Sequence, residues 1–317
     1  MKFLWLFFLL SLALQVTCLR AEKPPNPSAK IIAQEFGKPE LIPIVNAMKV
    51  VEPLNTPMLA PMPNDWLASY KEDGQTFTEY LRCNPVLPDE KRKIIYIQPL
   101  GEFTASQRKI VTLAADYLSR FYNLPVRFNE DLPLTLIPKQ ARRKYPFGDH
   151  HEQIQTGFVM NDLMIPRLPG DAVVMLTFTA SDLFPDPEWN YVFGMASMKD
   201  RVGVWSINRF GDPDKSAEEY QQCLIRTLKL ASHETGHMFS MPHCTKYECN
   251  MSGVNHLGED DRRPTDACPE CMAKICWGLK YDPAQRYEKL SEFFHSQGLL
   301  KEQKYYLDAL QAVRFSN

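Results

Sequence analysis

The decisive stretch of this sequence is HETGHMFSMPHCTKYECNMSGVNHLGEDDRRPTDACPEC, residues 233–271. Its first five residues end a predicted helix that begins at a capping serine, Ser216, and continues to about residue 239. Side chains four residues apart share one face of a helix, so His233 and His237 can bind a single zinc ion. Glu234 then lies beside the open coordination position, as the general base and acid for a water that the metal activates.

His243 is the predicted third ligand of this zinc. It follows Pro242, which cannot continue the helix and therefore helps to turn the chain towards the metal. Three neutral imidazoles leave the charge of the zinc uncompensated, which favours ionisation of its water near neutral pH. The alternative is a helix end that carries unrelated histidines. The spacing favours a hydrolytic zinc centre.

Two cysteine pairs follow at close spacing, Cys244 with Cys249 and Cys268 with Cys271. Four thiolates in this arrangement suit a closed, tetrahedral structural zinc. Two disulfides are the alternative, and an exported protein would permit them. A Cys-x-x-Cys bridge closes a very small, strained loop, which favours zinc over disulfides. Cys276 either substitutes for one ligand or is a buried thiol.

Upstream of the metal-binding stretch, strand patterns alternate with helix patterns, which predicts a layered α/β unit. The predicted strands are 93–98, 125–128 and 171–179, with an edge hairpin or a meander within 189–210. The predicted helices before residue 216 are 65–81, 106–122 and 153–163, and two terminal helices are predicted at 283–294 and 300–313.

The N-terminus has the layout of a secretory signal peptide, which we assign to residues 1–21. Its apolar run, residues 3–14, is shorter than the roughly 20 residues that a membrane-spanning helix needs. Residues 22–64 are rich in proline and are predicted to form an extended arm, with at most a short helix near Ala33. We therefore expect a secreted or extracytoplasmic protein that is not membrane-bound after signal cleavage.

The composition is that of an ordinary globular protein. The chain has 317 residues, 44% of them hydrophobic, which is enough for a sizeable core. Its 36 Lys and Arg nearly balance 38 Asp and Glu, so there is no basic excess to favour nucleic acid as a partner. The expected partner is a peptide or protein substrate, and the expected state is a monomer.

The compound pattern His233-Glu234-x-x-His237-x5-His243-Cys244-x4-Cys249-x-Met251, followed by Cys268-x-x-Cys271, resembles the signature of the archaemetzincins, a branch of the metzincin zinc peptidases. The resemblance covers roughly residues 65–290. It implies a catalytic zinc on the three histidines, Glu234 as catalytic acid/base, and Met251 in the turn beneath the metal. It also implies a second, structural zinc on the four cysteines, hence two zinc ions per chain.

The same resemblance implies a metzincin-like α/β fold with a mixed sheet, in which an active-site helix leads into a Cys-rich, zinc-binding C-terminal subdomain. Beyond the resemblance, we expect residues 65–317 to form one catalytic domain, with an upper part at 65–237 and a lower part at 238–317 that holds the structural zinc. Residues 194–206 would correspond to the edge strand against which a substrate lies as an added strand.

One position departs from the family pattern, because Ser240 stands where the family normally has glycine, three residues after the second histidine. Glycine suits a left-handed turn there, and a serine in that conformation carries a strain of about 1 kcal/mol. The leading prediction is a zinc metallopeptidase that hydrolyses peptide bonds, in either an endopeptidase or an aminopeptidase mode. The alternative is a catalytically impaired, zinc-stabilised peptide-binding protein.

Overall fold

The computed structural model describes residues 38–197 and 199–315, which include every candidate site residue named above. The predicted signal peptide and the first part of the Pro-rich segment lie outside the described residues. The α-helices are α1 Ile42–Val51, α2 Trp66–Ser69, α3 Phe77–Arg82, α4 Ala105–Tyr122, α5 Thr156–Phe158, α6 Ala217–Met238, α7 Leu257–Arg262, α8 Pro269–Gly278, α9 Pro283–Ser296 and α10 Leu300–Arg314.

The strands are β1 Ile94–Leu100, β2 Val126–Phe128, β3 Arg142–Lys144, β4 Glu152–Gln155, β5 Ala172–Thr179, β6 Asp182–Phe184, β7 Gly194–Ser197 and β8 Val202–Ser206. They form two sheets. A five-stranded sheet has the order β2-β1-β5-β8-β7, and a three-stranded sheet has the order β3-β4-β6. The β7 and β3 strands run antiparallel to their neighbours, while every other pair is parallel.

The centre of the larger sheet is buried on both faces, as the continuous apolar runs of the sequence predict. Every residue of β1 and of β5 is buried. The predicted hairpin is confirmed as the antiparallel pair β7 and β8, and β7 lies at the edge of the sheet. The mixed α/β fold class is therefore as predicted.

Helix α6 carries the candidate site and has the predicted bounds to within one residue. The Ser216 hydroxyl accepts a hydrogen bond from the backbone N–H of Glu219 and so caps the helix. The Glu219 carboxylate accepts from Lys215. The helix packs against α4 and against β5, β7 and β8, which fixes its direction towards the site at its C-terminal end.

The prediction of an extended arm over residues 22–64 was wrong for part of its described portion, because Ile42–Val51 form helix α1. Ile44, Ala47 and Val51 are buried at three- and four-residue spacing, on the helix face that contacts α8 and α10. Proline at the second helical position is compatible with this helix, since the first backbone N–H groups need no intrahelical partner.

The prediction of one helix over residues 65–81 was also wrong, because the segment forms two short helices, α2 and α3. Gly74 has a left-handed backbone (φ +69°), which an α-helix does not contain. Thr76 then starts α3 with a complete capping box, in which Thr76 and Glu79 each accept from the backbone N–H of the other. Residues 70–76, which we call the strap, connect the two helices and pass over the candidate site.

The predicted helix over residues 153–163 begins later than expected. Residues Glu152–Gln155 form β4, which pairs with β6 in parallel, and a helical turn starts only at Thr156. It continues as a π-helical turn over Val159–Met164. The sheet partner decides the conformation of this short segment, and that partner is distant in sequence.

Within the described part of the chain, we find no helix that combines the length and the apolar character needed to cross a lipid bilayer.

Candidate active site

The last turns of α6 bring two imidazoles together. The Nε2 atoms of His233 and His237 are 2.9 Å apart. Each ring turns its other nitrogen, Nδ1, to a backbone carbonyl: His233 to Asn250 and His237 to Met241, both at 2.7 Å. A carbonyl only accepts, so each Nδ1 carries the proton and each Nε2 presents a lone pair.

The third imidazole comes from the chain beyond the helix. At Ser240 the backbone turns through a left-handed conformation (φ +65°), and the Ser240 N–H donates to the His237 carbonyl. This turn brings the ring centroid of His243 to 5.3 Å from His233 and 4.9 Å from His237. The Nδ1 atom of His243 donates to the carboxylate of Glu72, at 2.9 and 3.0 Å from its two oxygens.

The three histidines fit a zinc ion. One ring nitrogen from each lies within 4.8 Å of the others. Two facing lone pairs 2.9 Å apart repel each other unless a cation or a proton lies between them. Burial lowers the pKa of His233 to about 3 and also lowers the pKa of His237, so both rings are neutral, the form that binds metals.

Glu234 lies next to this cluster on the same helix and is half-buried. Burial raises the pKa of its carboxyl group to about 7. Among the described residues, none forms a hydrogen bond or an ion pair with this carboxylate. A carboxylate without a protein partner beside three converging imidazoles is available to exchange a proton with a bound molecule.

Met251 packs directly under the helix that carries the histidines. A Cβ atom added at Gly236 would lie 2.5 Å from the Met251 Sδ atom, so the thioether occupies the space that the glycine leaves. Met251 is buried. The resemblance implied a methionine turn beneath the metal, and the described contact is consistent with that position.

The four predicted cysteines meet in a second cluster, in which all four side chains are buried. All seven cysteines of the described residues are free thiols. The Cys244 and Cys268 sulfurs are 3.6 Å apart, close to the edge of about 3.8 Å expected for a tetrahedron with Zn–S bonds of about 2.3 Å. Backbone N–H groups of Met251 and Cys268 point at the Cys249 sulfur, as they would at a thiolate ligand. The arrangement fits a zinc ion and does not contain the alternative disulfides.

The remaining cysteines stay outside this cluster. Cys276 and Cys223 are buried, and burial raises the pKa of Cys276 to about 12 and that of Cys223 to about 11, which makes both inert thiols. Cys83 is half-buried at the end of α3.

A third group of possible ligands, Asp65, His256 and Glu259, is an ion-pair network instead. Asp65 pairs with Arg262 at 2.7 Å, and Glu259 pairs with Arg263 at 2.9 Å. Each carboxylate already has a guanidinium partner, and Arg263 also pairs with Glu248, so these ion pairs account for the group without a metal ion.

The two candidate metal sites share one segment of chain. His243 and Cys244 are adjacent in sequence, and the Cys244 N–H donates to the Met251 carbonyl at 2.7 Å. Asn250, whose carbonyl orients His233, lies between Cys249 and Met251. A backbone displacement at Cys244 or Cys249 would therefore also move its neighbour in the sequence, His243 or Asn250.

Glu72 is the residue of this site that the sequence did not indicate. It belongs to no motif, and it lies 171 positions before the histidine that it contacts. Only the tertiary structure brings the strap against His243.

Comparisons with known proteins identify the family of this chain. A model of "Peptidase family M54" matches residues 160–276. Human archaemetzincin-2 is 30% identical over 266 residues, which cover 74% of this chain and 73% of the human protein. Human archaemetzincin-1 is 28% identical, over 71% of this chain and 51% of that protein. A crystal structure of archaemetzincin from Methanopyrus kandleri is 24% identical, with a TM-score of 0.47, and covers 61% of this chain and 98% of its own. The chain belongs to the archaemetzincin family of metallopeptidases, peptidase family M54.

Proposed function

We propose that this protein is a zinc-dependent peptidase that uses Glu234 as its general base and acid. One observation carries the proposal: the Nε2 lone pairs of neutral imidazoles converge beside a carboxylate that has no partner among the described residues. Hydrolysis of a peptide bond requires a polarising cation and a group that moves a proton, and this arrangement supplies positions for both.

His233, His237 and His243 would hold the catalytic zinc, and Cys244, Cys249, Cys268 and Cys271 would hold a structural zinc. When bound at the histidines, zinc polarises the scissile carbonyl and lowers the pKa of water. The hydrogen bonds from Nδ1 to Asn250 and Met241 keep two of the rings in the required tautomer. Burial of the cysteine site keeps solvent from its sulfurs.

Glu234 accepts a proton from the attacking water and later donates it to the leaving amine. Burial favours the neutral form of its carboxyl group and brings its pKa to about 7, whereas a cation at the histidines would favour the ionised form. Burial and the cation thus act on this carboxyl group in opposite directions, which keeps both protonation states accessible during the reaction. This is what an acid/base that works in two directions needs.

The substrate would lie along β7. This strand pairs with β8 on one side only, and its four residues are half-exposed. Helix α6 contacts β7, so a peptide added at this edge runs close to the helix that carries the histidines. A peptide or protein substrate fits this edge, since main-chain hydrogen bonds recognise any extended backbone.

The alternative, an impaired peptide-binding protein, rests on Ser240. Its backbone is left-handed, as the family glycine would be, so the turn towards His243 is retained. The Ser240 hydroxyl also accepts a hydrogen bond from the Val86 N–H at 3.0 Å, which offsets part of the strain. These contacts favour the active peptidase.

Secretion by residues 1–21, the absence of membrane attachment and the monomeric state stay predictions.

Replacing Glu234 by Gln tests the proposal. We expect the zinc content to stay unchanged and the cleavage of a peptide library to fall by about 10²-fold or more, because the acid/base is lost while the ligands remain. Glu218→Gln is the matched control, since Glu218 lies exposed in the first turn of the same helix. Equal cleavage by E234Q and by the unsubstituted protein would refute the proposal.

A further inference from the structure

We propose that Glu72 is a positioning residue that holds the imidazole of His243 in the orientation and tautomer needed to bind zinc. This inference rests on the proposed function. It extends the catalytic site to the strap, a segment that neither the motif nor the family match at residues 160–276 includes.

Each candidate ligand has one acceptor at Nδ1, and the acceptor of His243 differs from the other two. His233 and His237 donate to backbone carbonyls 17 and 4 residues away in sequence. His243 instead donates to the side chain of Glu72, whose two oxygens lie 2.9 and 3.0 Å from Nδ1. A carboxylate that only accepts fixes the proton on Nδ1 and leaves the Nε2 lone pair for the metal.

The strap is fixed against the loop that carries His243. The Thr245 hydroxyl donates to the Asp73 carbonyl at 3.3 Å. Gly74 packs so closely that an added Cβ would lie 2.3 Å from the Thr245 Oγ1 atom, and its left-handed backbone (φ +69°) also favours glycine. The Lys274 ammonium donates to the carbonyl of Gln75. Contacts at Asp73, Gly74 and Gln75 therefore fix the strap directly after Glu72, although residues 71–73 are themselves exposed.

A second contact restricts the orientation of the His243 ring. The indole of Trp66 lies edge-on to it, with centroids 5.0 Å apart and an interplanar angle of 77°. Trp66 in turn packs on Gly253, where an added Cβ would meet the indole at 2.4 Å. Residues before and within the strap thus hold the third imidazole by a packed ring and by a charged hydrogen bond.

Charge gives Glu72 a second effect. Three neutral imidazoles do not compensate the two positive charges of a zinc ion, and Glu72 is the carboxylate that bonds directly to one of these ligands. An anionic acceptor makes the imidazole a stronger donor to the metal than a neutral carbonyl does. Loss of Glu72 should therefore weaken zinc binding at the histidines more than loss of an exposed carboxylate that contacts none of them.

The test measures zinc affinity at the histidine site, by counting zinc per chain in native mass spectrometry during titration with a chelator. The zinc that His237→Ala removes identifies the signal of this site. We expect Glu72→Ala to weaken its zinc affinity by about 10- to 100-fold. Glu72→Gln keeps an acceptor oxygen but loses the charge, so a smaller loss is expected. Glu102→Gln removes the same charge at an exposed residue outside the strap and should match the unsubstituted protein.

Zinc at the four cysteines should not change in any of these variants, which shows that they fold. If Glu72→Ala loses its fold, Glu72→Gln decides, since glutamine is nearly isosteric with glutamate and the Glu72 side chain is 28% exposed. Zinc affinity within twofold of the unsubstituted protein in E72Q and E72A would overturn the role of Glu72 alone. Absence of any His237-dependent zinc in the unsubstituted protein would overturn both this inference and the proposed function.

Discussion

The histidine cluster and the cysteine cluster are neighbours in the chain, but their surroundings differ. The three histidines are half-buried and lie beside Glu234, which has no partner among the described residues. The four cysteines are at most 5% exposed, and their sulfur atoms all lie within 4.8 Å of one another. Catalytic zinc sites keep an open position for substrate, whereas structural sites are closed by four protein ligands. The difference in burial is what the proposed division into a catalytic and a structural zinc site predicts.

The segment from His243 to Met251 joins the two clusters. A metal bound at the cysteine cluster should therefore stabilise the positions of the histidines. This segment contributes residues to both clusters. Cys244 and Cys249 belong to the cysteine cluster, while the Asn250 carbonyl orients His233. The following predictions test this relation, from the largest effect to the smallest.

Replacing Cys271 by Ser should have the largest effect. It leaves three buried thiols without their metal, so we expect loss of the structural zinc and a fall of about 3–5 kcal/mol in the free energy of unfolding. Peptidase activity should fall as well, because the segment from 243 to 251 loses its support. Denaturant unfolding and zinc counting measure the change.

Cys276→Ser is the matched control, because Cys276 lies on the same helix, α8, and is equally buried but outside the cluster. It should keep both zinc ions. The relation between the two clusters is wrong if the two serine variants lose the same amount of zinc, or if C271S keeps full activity.

Replacing Gly236 by Ala should perturb the histidine cluster from below. The new methyl group would meet the Met251 Sδ atom at 2.5 Å and the Tyr122 hydroxyl at 3.2 Å. Overpacking outweighs the better helix propensity of alanine, so we expect a net loss of about 1–2 kcal/mol in unfolding free energy. Thermal unfolding of G236A measures this loss. The control is Gly157→Ala, because a Cβ added at Gly157 meets nothing within 4 Å. Equal stability of the two variants would show that the contact with Met251 does not constrain the helix.

Changes at Ser240 should have the smallest effect. Ser240→Ala keeps the left-handed strain and leaves the Val86 N–H without its acceptor, which should cost about 1 kcal/mol. Ser240→Gly loses the same bond but relieves about 1 kcal/mol of strain, so its stability should stay close to that of the unsubstituted protein. Its peptidase activity should also stay within a few-fold. A large rise in hydrolysis by S240G would instead favour the impaired binding protein.

Much of the site could be predicted from the sequence, because local rules determine it. Four-residue spacing on a capped helix brings His233 and His237 to one face. The buried strands β1 and β5 follow from their apolar runs. Close spacing of the cysteines also predicted correctly which four side chains meet.

The errors arose where distant partners decide the local conformation. The strap interrupts an apparently helical pattern because Gly74 fits against Thr245, far along the chain. Residues Glu152–Gln155 become a strand because β6 pairs with them. Helix α1 forms within a proline-rich segment because its apolar face packs on the C-terminal helices. Glu72 could not be found from sequence for the same reason, since its partner is 171 residues away.

Zinc counting on the purified protein, together with titration of its free thiols, tests the central claim most directly. The account predicts two zinc ions per chain. His237→Ala should remove one of them and Cys271→Ser the other, and chelation should release four additional reactive thiols under denaturing conditions. A single zinc ion that persists in H237A, or disulfides in place of the four thiols, would contradict the account.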